Sequence, residues 1–208
     1  VQRAIAAGVM ISLCAALLGV ILVLKQYSLI GHGLGDVGFA STSLAVALGL
    51  PVMAVSIPIV VIAACLIMFW SQRSKTGGDT AIGMVATGAL SIGVIITAMS
   101  SGFNVDVNGY MFGSILAMSR EDVIFSVVLS IVILVLFVVF YNRLFLITFD
   151  ENFAKASGIR VGFYQFLIAL LTALTVVMGM RMMGSLLISS LIIFPAVIAR
   201  KLVVSFKA

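Results

Sequence analysis

Apolar residues in this chain come in nearly unbroken runs of roughly 20, parted by short polar breaks, rather than in the spaced stripes of a soluble helix. Seven runs are read, near residues 4–24, 28–49, 52–70, 80–100, 122–142, 162–180 and 183–199. Each is long enough to cross about 30 Å of hydrocarbon as a helix. Strict period-two alternation is absent, so the pattern is not that of a membrane β-barrel. The expected fold is all-α, a polytopic membrane protein of about seven transmembrane helices. The breaks are too short to be linkers, leaving residues 1–208 as one domain.

Charge along the breaks sets an orientation. With the N-terminus outside, nine basic residues face the cytoplasm: Lys25, Arg73, Lys75, Arg143, Lys155, Arg160, Arg200, Lys201 and Lys207. Three face out, Arg3, Arg120 and Arg181, and an excess of Lys and Arg marks the cytoplasmic side. Composition agrees with the class. The chain is 63% hydrophobic and 9% charged, where soluble domains carry about 25% charged residues. A net charge of +5 is spread singly at the ends of runs, which is topology rather than a phosphate-binding stripe, so no nucleic-acid partner is expected. Cys14 and Cys65 lie inside apolar runs and read as small core residues, not as a disulfide. The first run follows Arg3, exceeds the length of a signal peptide and shows no clear cleavage site.

Two breaks have internal order. Thr148-Phe-Asp-Glu151 has capping-box spacing, with Thr148 as N-cap and Glu151 at N3, and Gly158 stands where a C′ glycine belongs. A short amphipathic helix over about 149–157 is expected in the longest cytoplasmic connection, and an ordinary solvated turn is the alternative. The other break, Asn104 to Ser119, is half apolar and too short to span, which fits a re-entrant or interfacial helix. Ser119 to Asp122 then caps the following span.

Candidate chemistry concentrates in Ser28-Leu-Ile-Gly-His-Gly-Leu-Gly-Asp-Val-Gly-Phe39. His32, the chain's one histidine, precedes Asp36 by four residues, which puts both on one helix face. The other acidic residues fall in breaks or at span edges, so Asp36 is the lone carboxylate within an apolar run. Ionisable groups at membrane depth are costly and by default mark a pathway or a reactive site. Imidazole with carboxylate suits zinc, manganese or iron(II) better than sodium or magnesium. Two ligands leave a coordination shell incomplete, and a structural pair that fixes helix packing stays open as the other reading. The dispersed methionines are core packing rather than a copper path.

Of two local matches, the first is rejected and the second stays as the less favoured rival reading. Gly33-Leu-Gly-Asp-Val-Gly38 fits the dinucleotide fingerprint, but no strand precedes it and no βαβ unit surrounds it. These glycines instead let helices approach closely, or let a helix begin irregularly beside a cavity. Gly33-Leu-Gly-Asp36 also fits the G-x-G-D of intramembrane aspartyl proteases, some of which carry a Pro-Ala element like Pro195-Ala196. Such enzymes need a second carboxylate earlier in the chain, and no Asp or Glu precedes Asp36.

Four blocks together resemble the zinc/manganese/iron permease family of ABC importers. They are Ser28 to Asp36; Tyr110 to Asp122; Phe149-Asp-Glu-Asn-Phe-Ala-Lys-Ala-Ser-Gly-Ile159; and Met180 to Ser185 continued through Leu191-Ile-Ile-Phe194 to Pro195-Ala196. Their order and spacing match that family across nearly the whole chain. The resemblance implies the ABC importer permease fold, in the cell membrane of a prokaryote, and a subunit that dimerises around a central path. It implies a cytoplasmic ATPase subunit that supplies the energy, this chain not being an enzyme itself. It also implies an extracellular metal-binding lipoprotein or periplasmic protein that delivers the ion, zinc before manganese or iron. His32 and Asp36 would be the metal residues. Phe149, Asp150, Glu151, Phe153 and Gly158 would belong to the helix that couples to the ATPase, with the two phenylalanines as apolar anchors. The family usually places Asp first and His four residues later, and here the order is reversed. Members also continue for roughly two more helices, so a C-terminally truncated chain is expected. An ion-coupled secondary transporter with Asp36 as proton site is the rival reading. It predicts two similar halves, which the hydropathy does not show.

Overall fold

The computed structural model describes residues 2–73, 78–99, 113 and 120–202. Their helices are α1 (Gln2–Leu24), α2 (Ile30–Ala47), α3 (Val52–Arg73), α4 (Gly78–Met99), α5 (Arg120–Phe149), α6 (Glu151–Ala156), α7 (Val161–Met183) and α8 (Ser185–Leu202). Apart from Gly113, the expected re-entrant segment at 104–119 lies outside the described residues, and so does the Ser119 cap. In lipid every backbone polar group must be satisfied within the chain, and uninterrupted helices do this. Side-chain hydroxyls follow the same rule: Thr172, Thr175 and Ser189 each donate to the carbonyl four residues back.

The long helices turn back on one another, as the alternation of charge requires. At one end Lys25 meets Glu151 and Asp79 meets the Leu29 amide, and at the other Gly113 packs against Gly184. α7 is the central helix, buried along nearly its whole length. α1 packs on α5, α7 and α8, while α2 packs on α3, α4, α7 and α8. Cys14 is buried and Cys65 half-buried, both free.

Six of the long helices are apolar enough to cross a membrane by length and composition alone, and α2 is not among them. Its glycines, serines, His32 and Asp36 lower its hydropathy. It can carry them because its neighbours cover most of it: eleven of its residues are buried. The glycines decide this packing. A Cβ on Gly33 would lie 2.5 Å from Ile82 of α4, and one on Gly31 3.3 Å from the Ser189 backbone of α8. Of the two roles open to these glycines, close approach is the one observed, since α2 is regular helix from Ile30 onward.

The α5–α6 junction differs from the sequence expectation. α5 runs on to Phe149, so Thr148 is inside it and donates to the Leu144 carbonyl instead of capping. Asp150 is the N-cap: its backbone is extended, and its carboxylate accepts from the Phe153 amide at 2.9 Å. The run Leu144–Phe149 is apolar enough to extend the preceding helix, which moves the break two residues on. The far end is as expected. Gly158 takes φ +77°, the Gly158 amide donates to Lys155 and the Ile159 amide to Ala154, a Schellman close.

Candidate functional site

α2 presents three faces. Gly31 and Gly35 lie against α8, where Ser185 and Ser189 meet them, and Gly33 lies against α4. At 100° per residue, positions 32 and 36 fall between those two faces. The structure brings this pair together: His32 Nε2 and Asp36 Oδ2 are 3.7 Å apart. Asp36 is mostly enclosed, its side chain 13% exposed, while the imidazole is 52% exposed on the open side of the helix. Two donors on one tetrahedral ion, each at about 2.1 Å, stand about 3.4 Å apart, and a right-angled pair stands about 3.0 Å apart. The observed separation is wider than either, and side-chain rotation would have to close it for both groups to hold one ion. No third His, Cys, Asp or Glu joins the pair among the described residues.

Residues not singled out from sequence complete the surroundings. Ser43 continues the His32–Asp36 face at seven residues' spacing, and Thr97 of α4 donates to it at 3.1 Å. That spacing was the available signal. α2 has no cap of its own; Asp79, in the first turn of α4, accepts from the Leu29 amide at 3.0 Å. Nothing in the local sequence links residues fifty apart, so only the fold reveals this tie.

α6 is two-sided. Ala154 is fully buried against the bundle, while Phe149 and Phe153 are exposed by 58% and 56%. Glu151 is 36% exposed, and its two carboxylate oxygens accept from Lys155 at 2.8 Å and from Gln165 of α7 at 3.1 Å. Asp150 is engaged as the cap, and Gly158 supplies the positive φ of the exit.

Long apolar helices that enclose one glycine-rich, ionisable helix define a polytopic membrane protein. The chain belongs to the ABC 3 transport family, whose profile matches residues 1–208. It is similar to the high-affinity zinc uptake system membrane protein ZnuB of Haemophilus influenzae, with 31% identity covering 95% of this chain and 76% of that protein. It is also similar to the manganese transport system membrane protein MntC of Halalkalibacterium halodurans, with 28% identity over 95% of this chain and 68% of that one. Among solved structures, PsaBC from Streptococcus pneumoniae in complex with Fab aligns with a TM-score of 0.83 and 30% identity, covering 99% of this chain and 74% of that one.

Proposed function

We propose that this chain is the membrane permease of an ATP-driven importer of divalent metal ions, with zinc preferred over manganese or iron. The observation that carries the proposal is the His32–Asp36 pair, 3.7 Å apart on one helix face, with Asp36 mostly enclosed and the imidazole half open. An imidazole left half open in the first turn of a helix packed among apolar helices is better placed beside a polar surface than beside lipid. A second copy of the permease, with the ion path between the two, gives it a polar surrounding. His32 and Asp36 would then be transient ligands, exchanged with water and with the symmetry-related pair as the ion passes. Relatives named for zinc and for manganese support the class of cargo. Imidazole with carboxylate suits zinc, manganese and iron(II), and zinc is placed first.

Hydrolysis belongs to a separate cytoplasmic ATPase, and delivery to an extracellular metal-binding lipoprotein or periplasmic protein. The surface offered to the ATPase is the end of α5 and α6, with Phe149 of the first and Phe153 of the second outward. The test is uptake of zinc into proteoliposomes that carry the permease and its ATPase. Uptake should require ATP and fall to background in Asp36→Asn, with unchanged expression. Normal uptake by that variant, or uptake without the ATPase, would overturn the reading.

A further inference from the structure

Lys25 was legible in the sequence only as a topology marker, and the fold gives it a second position. Its side chain is 9% exposed, and its ammonium lies 4.0 Å from Glu151 Oε2, the oxygen that also accepts from Gln165. A lysine so enclosed at the cytoplasmic edge has a free-energy cost unless a partner holds it. Among the described residues Glu151 is the carboxylate that does so. Glu151, itself 36% exposed, therefore sits at the bundle edge with Lys155 at 2.8 Å on one oxygen and Lys25 and Gln165 on the other.

Lys25 also stands on a stiff turn. It caps the C-terminal end of α1: the Gln26 amide donates to Val23 and the Tyr27 amide to Leu22, with Gln26 at φ +61°. This is a Schellman close on a residue other than glycine, so the turn is held by its surroundings rather than by local preference. The Ile30 amide then donates to Tyr27, and Asp79 holds the Leu29 amide. Between Lys25 and the first turn of α2 the amides of Gln26, Tyr27, Leu29 and Ile30 are all held, and His32 follows seven residues after Lys25.

We propose that Lys25 and Glu151 form a latch through which movement of α6 is passed to the start of α2, making both of them positioning residues for the ion pair. This rests on the reading of α6 as the ATPase-docking helix. It differs from that reading in giving Glu151 to the permease side of the joint. When the ATPase displaces α6, Glu151 carries Lys25 with it, and the fixed turn shifts His32 and Asp36 rather than absorbing the motion.

The test uses the permease with its ATPase in proteoliposomes and reads zinc taken up per ATP hydrolysed. Lys25→Met and Glu151→Gln should each lower that ratio about tenfold while the ATPase still co-purifies, and Lys25→Arg should stay within about twofold of wild type. In the double variant the loss should match either single change, because one link is cut in all three. A wild-type ratio in Lys25→Met, or a double variant whose loss is the product of the two single losses, would overturn the latch. Docking is read separately by Phe153→Glu: retention of the ATPase there would count against the docking surface and leave the latch result to stand by itself.

Discussion

At Gly19 the backbones of α1 and α8 meet with no room for a side chain. A Cβ there would lie 2.0 Å from the Ile192 carbonyl oxygen and 3.0 Å from its carbon. Ordinary carbon–oxygen contact is about 3.2 Å, so Gly19→Ala requires the two helices to part locally by about 1 Å. The obstacle is backbone, which cannot turn aside as a side-chain end can. A gap of that size forfeits a quarter to a half of the dispersion energy around it. Overpacking of this kind costs about 1–3 kcal/mol, and about 2 kcal/mol is the expectation here. For a chain of this size that lowers Tm by about 4–8 °C. Gly83 is the control: nothing lies within 4 Å of its Cβ position, so Gly83→Ala keeps the fold and gains up to about 1 kcal/mol of helix propensity. The assay is thermal unfolding of the two variants in the same detergent. Because α8 also carries Ser185 and Ser189 against the glycines of α2, Gly19→Ala should lower zinc uptake as well. A Tm for Gly19→Ala at or above that of wild type would refute the reasoning.

The remaining predictions concern the site and its joints. His32→Ala should reduce zinc uptake to background as Asp36→Asn does, while Ser43→Ala, whose hydroxyl is already engaged by Thr97, should stay within about threefold; equal loss from all three would mean that the whole α2 face is merely structural. Phe153→Glu should release the ATPase on purification, since it places a charge on the exposed apolar side of α6, and undiminished co-purification would make this connection an ordinary loop. Burial lowers the Lys25 ammonium from its ordinary value of 10.5, and Glu151 offsets part of the fall. The folded form thus binds that proton more weakly than the unfolded form, and stability rises with pH between the lowered value and 10.5. The Tm of wild type should therefore gain on that of Lys25→Met between pH 7.5 and 10, and a constant difference would show that Lys25 is not desolvated.

Hydropathy made the long helices legible because length and apolarity are what a bilayer demands. It also made α2 legible as a helix, though α2 is not among the helices apolar enough to cross a membrane by composition. The i, i+4 spacing of His32 and Asp36 placed them on one face, since it depends on helix geometry alone. The start of the short helix was misplaced by two residues because Thr148 and Asp150 are both competent caps. The choice between them is made by how far α5 extends, which the local motif does not encode. The ties from Lys25 to Glu151 and from Asp79 to Leu29 join distant segments, and residue type alone gave no indication of them.

The central claim is that His32 is a ligand of the transported ion, and the chain contains a single histidine with which to test it. X-ray absorption at the zinc edge of the tag-free permease, in nanodiscs with one equivalent of zinc, reads imidazole directly through its outer-shell scattering. The account predicts that scattering in wild type, its loss in His32→Ala, and a first shell of nitrogen and oxygen without sulfur. A shell of oxygen alone in the wild-type protein would contradict it.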